Sequence, residues 1–136
     1  MAEITLEATV ENIEAVTDFV TEQLEEMGCP MKAQMQFSIA VDELFANIAH
    51  YAYQPNTGMA TVRVEAVDGG KQAQVTFIDQ GTPYNPLEKE DPDVTLSAED
   101  RPIGGLGIFM VKKSMDDMRY CYENGCNILT IVKKIG

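Results

Sequence analysis

The chain has 136 residues, 45% of them hydrophobic and 24% charged, and a formal net charge of −12 at pH 7. That length can bury a full core without disulfide or metal staples, and the composition is that of an ordinary globular domain. The acidity and the absence of any Lys/Arg run exclude a nucleic-acid-binding role, and an anionic ligand would need a metal ion and backbone N–H groups to hold it.

Residues Glu3 to Thr9 alternate apolar and polar, which predicts a strand. The stretch lacks the basic and apolar regions of a secretory signal, and no later window is apolar enough for a membrane helix, so a cytoplasmic location is expected. From Asn12 to Met27, apolar residues at Ile13, Val16, Phe19, Val20, Leu24 and Met27 follow helical spacing, and Gly28 stands where a C-terminal cap belongs. Pro30 opens a second helix, read from Met31 to Tyr53, with a stripe of Phe37, Val41, Leu44 and Ile48. The turn Gln54–Gly58 precedes two strands, Met59–Val67 and Lys71–Asp79, joined by a hairpin at Asp68-Gly69-Gly70. Residues Gln80 to Pro102 are polar, rich in Pro and Asp, and without a period, as in a lid. A short helix over Ile108–Met115 follows, then strands Met118–Glu123 and Asn127–Lys133 about an Asn124-Gly125 turn. The order β-α-α-β-β-loop-α-β-β predicts an α+β fold. It is a two-layer sandwich whose mixed, mostly antiparallel sheet carries helices on one face.

Four clusters carry chemistry. Glu43 and Asn47 are four apart on the second helix and share a face. They read either as a solvated polar pair or as a proton acceptor beside an oxygen ligand for a hard cation. Asp79-Gln80-Gly81 ends a strand with an acceptor for an exocyclic amine and a glycine that permits close approach; an ordinary turn has the same letters. Gly104-Gly105-Leu106-Gly107 leads into Ile108 at a helix start, where N–H groups can cradle phosphates, although a hinge reads the same way and no Walker Lys follows. Thr130 is one hydroxyl in an apolar strand. Arg101, at the end of the lid, reaches either a γ-phosphate or solvent. His50, the one histidine, has no Ser or Cys constellation around it, and the three cysteines match no zinc or redox spacing.

In this order the clusters resemble the GHKL ATPase superfamily across essentially the whole chain, as one histidine kinase-like ATP-binding domain over residues 1–136 with a lid at about 80–103. Glu43-Leu-x-x-Asn47 looks like its N box, Asp79-Gln-Gly81 its G1 box and Gly105-Leu-Gly107 its G2 box. The stretches AVDELFANIAHYAY, DQGTPYNP, GGLGIFMVKKSMDDMRY and NILTIVKK look typical of the anti-sigma-factor serine/threonine kinase branch. The resemblance implies ATP and Mg²⁺ as cofactors. Asn47 would hold Mg²⁺, Glu43 would be the catalytic base, and Asp79, Gly81 and Thr130 would take the adenine. Gly104, Gly105, Leu106, Gly107 and Ile108, with Arg101, would take the phosphates. It implies a serine/threonine protein kinase acting on a STAS-domain antagonist, with a sigma factor as a second partner and a homodimer as a common assembly. The alternative is a non-enzymatic, ATP-gated partner-binding module. Pro83 departs from the usual Asp-x-Gly-x-Gly and is read as a marker of that branch.

Overall fold

A computed structural model describes residues 1–53, 56–88 and 106–136. Five strands and three helices follow the expected order: β1 (Ala2–Glu7), α1 (Ile13–Glu26), α2 (Met31–Asn47), β2 (Met59–Val67), β3 (Gln72–Asp79), α3 (Leu106–Ser114), β4 (Asp117–Glu123) and β5 (Cys126–Lys134). The strands form one sheet in the order β1-β2-β3-β5-β4. Every pairing in it is antiparallel, so the mixed sheet expected from the sequence is an antiparallel one. Because β5 lies antiparallel between them, β3 and β4 run parallel, with α3 on the connection that joins them.

Register sorts the side chains. Asp79 lies opposite Ala60 and Asn127, Phe77 opposite Val62 and Leu129, and Val75 opposite Val64 and Ile131. These positions share one face and are buried under the helices against Val16, Val20, Leu24, Phe37, Val41, Leu44, Phe45, Ile108 and Val111. Each large apolar side chain removed from water here contributes roughly 1.5–3 kcal/mol. The opposite face is polar. Arg63 Nε donates to Glu3 at 2.7 Å, Gln74 Nε2 to Glu65 at 2.9 Å and Arg119 to Gln74 at 3.1 Å. No described helix is long and apolar enough to cross a membrane.

Local chemistry explains the helix ends. Gly28 adopts φ +75, and Cys29 N donates to Leu24 O and Gly28 N to Glu25 O, both at 3.0 Å. That is a Schellman cap, which a Cβ at this φ would strain. At its other end α2 stops sooner than expected. Past Asn47 the backbone widens into a π-turn over Ile48–Ala52 rather than continuing as α-helix to Tyr53. The wide turn buries Ala52 and leaves its carbonyl free to accept Thr82 N–H at 2.8 Å. The end of α2 is thereby tied to the end of β3.

Candidate functional site

Asp79 closes β3, and its parity with Val75 and Phe77 carries it under the helices, where it is 6% exposed. Two donors converge on its Oδ1: Gly81 N–H and Asn127 Nδ2, each at 2.9 Å. Oδ2 accepts from no described side chain. No buried side-chain oxygen lacks a partner among the described residues, so Oδ2 reaches open space. That space is a cleft lined by Leu44, Ile48, Phe77 and Leu129 together with Asn47, Tyr51, Tyr84 and Tyr120. An apolar slot with a fixed, negatively charged acceptor at its floor suits a flat heteroaromatic ring that offers an amine.

The backbone beside Asp79 leaves no spare room. A Cβ on Gly81 would overlap the Ala52 carbonyl. Tyr53 holds the same junction from outside: its hydroxyl donates to Met59 O at 2.6 Å and accepts Gln80 N–H at 2.7 Å. Burial pushes the Tyr53 phenol above its ordinary pKa, with the Asp79 carboxylate adding to the rise against the Gln80 hydrogen bond. Tyr120 is raised in the same sense, first by burial and further by Asp79.

The second cluster lies between α2 and α3. Gly107 in the first turn of α3 faces Glu43 so closely that a Cβ there would overlap the carboxylate. The ionisable group and the helix start are thus brought into contact, with the Glu43 charge at the positive end of the α3 dipole. Asn47, one turn on, lines the cleft, whereas Glu43 lines the neighbouring groove with Ile39, Ala46 and Met110. The side chain of Ile108 is buried in the core, so only its backbone N–H is available to a ligand. Leu106 begins the helix. Arg101, Gly104 and Gly105 lie outside the described residues, as does most of the expected lid.

One expectation is corrected. Thr130 is not brought to Asp79. It pairs with Thr76 and Arg119 on the far face of the sheet, beside Gln74 and Ile128. Its place is taken by Asn127, which is 7% exposed directly opposite Asp79 and which the sequence alone does not mark as a site residue. The available signal was a polar residue in phase with Leu129 and Ile131. Part of the segment expected as a lid is described. Residues 80–84 are bound to the cleft wall through Tyr53, Ala52 and Asn127, and Pro86–Glu88 forms a short helical turn. His50 is exposed beside the Tyr51 ring.

Residues 6–133 match the family described as histidine kinase-like ATPase domain. The chain is 27% identical over 106 residues to the serine-protein kinase RsbW of Listeria monocytogenes, across 75% of this chain and 67% of that protein. It is 25% identical over 101 residues to the serine/threonine-protein kinase BtrW of Bordetella bronchiseptica, across 73% and 70%. The chain thus spans about two thirds of the length of the curated relatives it matches. The fold superposes on a Mycobacterium tuberculosis structure of RsbU and RsbW domains with a TM-score of 0.64, at 14% identity over 99% of this chain and 33% of that one. It also superposes on the histidine kinase domain of a blue-light activated kinase from Erythrobacter litoralis, with a TM-score of 0.57, at 14% identity over 93% and 60%. With Asp79 lining an apolar cleft and Glu43 against Gly107, the chain belongs to the histidine kinase-like ATPase domain family, the GHKL superfamily that its motifs resemble.

Proposed function

We propose that this chain is a Mg-ATP-dependent serine/threonine protein kinase of the anti-sigma type, acting in the cytoplasm on a STAS-domain antagonist and, in its other role, holding a sigma factor. The observation that carries the reading is the Asp79 carboxylate. One oxygen is pinned and the other is open at the floor of an apolar cleft. The likeness to RsbW and BtrW supports the choice of a serine hydroxyl as acceptor.

ATP bound with Mg²⁺ would supply the phosphoryl group. Asp79 Oδ2 accepts the exocyclic amine of the base, and Gly81 allows the ring to lie against the backbone. Phe77, Ile48 and Leu129 exclude water from the ring. Asn47, which lines the cleft, would offer its carbonyl oxygen to the metal. Gly105 and Gly107, with the first N–H groups of α3, take the phosphate charge. Glu43 takes the proton from the acceptor hydroxyl, and Gly107 leaves room for its carboxylate.

The test is phosphate transfer to a purified STAS-domain partner, followed by mass spectrometry, for wild type and Glu43→Gln. The variant should keep Mg-ATP binding by calorimetry and lose roughly 10²–10⁴ in transfer rate, the usual contribution of a general base. Equal rates would remove Glu43 from the chemistry. No transfer by wild type, with partner affinity still dependent on ATP, would leave the non-enzymatic ATP-gated binding module. Absence of any heat or thermal shift with millimolar Mg-ATP would overturn nucleotide binding itself.

A further inference from the structure

We infer that Asn127 is a positioning residue that sets the base preference of the cleft, holding Asp79 so that it accepts a 6-amino purine and rejects a 6-oxo purine. The inference rests on the nucleotide-binding reading above and goes beyond it by naming the group that makes the site selective.

The carboxamide of Asn127 is used up. Nδ2 donates to Asp79 Oδ1 at 2.9 Å and to Thr82 O at 3.0 Å, with Gly81 O at 3.4 Å beside the second bond. Oδ1 accepts Tyr84 N–H at 3.1 Å and the Tyr120 hydroxyl. The surroundings also fix which end is which. Three oxygens face Nδ2 and two donors face Oδ1, so a flipped amide would set oxygen against oxygen. An amide with two protons and two lone pairs all engaged has nothing left for a ligand. Asn127 therefore acts on the base only through Asp79.

What it does there follows from the geometry of a carboxylate. With both oxygens free, a carboxylate can take two parallel N–H donors, and the N1–H and 2-amino group of guanine present such a pair. With Oδ1 already holding Asn127 and Gly81 N–H, Asp79 can offer the cleft only Oδ2. A single acceptor pairs with the 6-amino group of adenine. Guanine in that pose would bring its O6 against the carboxylate and leave a buried acceptor unpaired, which costs far more than a missing contact. Asn127 also sits 7% exposed between strand and loop, so its pose is maintained by packing as well as by bonds.

The experiment is calorimetric titration with Mg-ADP and, separately, Mg-GDP, on wild type, Asn127→Ala and Tyr120→Phe. Wild type should prefer ADP. Asn127→Ala should lower the ADP/GDP affinity ratio by about 10- to 100-fold, the scale of leaving one buried polar group unsatisfied, through weaker ADP and stronger GDP binding. A purely structural role would lower the melting temperature and leave the ratio where it was, and that outcome would overturn the assignment. If Asn127→Ala does not fold, Tyr120→Phe decides. It removes one bond to Asn127 Oδ1 and keeps the ring, and the ratio should fall by about 2- to 5-fold, the loss of one hydrogen bond. An unchanged ratio in a folded Tyr120→Phe would overturn it as well. Wild type binding neither nucleotide would instead overturn the nucleotide-binding reading, so the two failures are told apart.

Discussion

The two ends of the site are built differently. At the Asp79 end nearly every polar group is engaged: Asp79 Oδ1, both ends of Asn127, the Tyr53 hydroxyl, and the N–H groups of Gln80, Gly81, Thr82 and Tyr84. At the α2–α3 end the side chains of Glu43 and Asn47 hydrogen-bond no other described residue. The first end is held in place by the protein's own hydrogen bonds, as recognition of a fixed shape requires. The second keeps its carboxylate and carboxamide free for groups brought in from outside. Both ends depend on a glycine in close contact, and the contacts differ in kind. Gly81 meets backbone, whereas Gly107 meets the far end of a flexible side chain.

The same substitution at those two glycines should therefore have opposite consequences. Gly107→Ala pushes the Glu43 carboxylate aside. The chain can absorb that by rotating Glu43, and alanine is the better helix former by roughly 0.5–1 kcal/mol, so stability should barely change. Transfer to the partner should nonetheless fall by about 10²-fold or more, as for loss of the base. Undiminished transfer would separate Gly107 from the function of Glu43. Gly81→Ala drives a methyl into the Ala52 carbonyl, which cannot rotate away. It should cost about 1–3 kcal/mol in urea unfolding, the usual cost of overpacking, because the Thr82–Ala52 bond must stretch with it. A Gly81→Ala protein as stable as wild type would show that the junction is not rigid.

Much of this organisation was legible in the residues, and the exceptions have physical causes. The apolar spacing of α1 together with Gly28 marked a helix and its cap, and the structure has both. Asp79 and Gly81 were recognisable because a strand ending in Asp and Gly breaks its own apolar run. The resemblance puts Thr130 at the adenine, and the residues themselves offer no check, because β5 is apolar at both parities: Ile128, Leu129, Ile131 and Val132 give no clear face. Only the pairing of Asn127 with Asp79 shows which parity faces the helices. The π-turn was hidden for a related reason. Ile48, Tyr51 and Ala52 suit an α-helix equally well, and the wider turn is set by the contact between Ala52 and Thr82, across residues distant in sequence.

Tyr53 offers a milder probe of the rigid end. Tyr53→Phe keeps the ring, which packs against the core, and removes a hydroxyl that serves Met59 O and Gln80 N–H together. Two bonds at about 0.5–1.5 kcal/mol each, part-replaced by water, predict a loss of about 1–2 kcal/mol in denaturant unfolding. Phosphoryl transfer under saturating Mg-ATP should stay within a few-fold of wild type, since the Glu43 end is untouched. A variant as stable as wild type would mean that this hydroxyl contributes nothing net to the junction.

The smallest expected effect is the response of the rigid end to alkali. The phenols of Tyr53 and Tyr120 both stand above the ordinary value of 10.0, chiefly through burial, and the Asp79 charge raises both further. A raised pKa means that the folded state holds the proton more tightly than the unfolded chain does. The corresponding stability is fully present below pH 10, declines once the unfolded phenol begins to ionise, and is gone above the folded value. Urea midpoints measured from neutral pH upward should stay level with respect to these groups and then fall beyond pH 10. Tyr53→Phe starts lower but should fall less steeply over that range, because one of the two shifted protons is missing. Tyr120→Phe should behave likewise, and the double variant should be flatter than either. Parallel slopes in wild type and both single variants would show that neither phenol is held against ionisation, and so that the Asp79 end is more open to water than its hydrogen bonds imply.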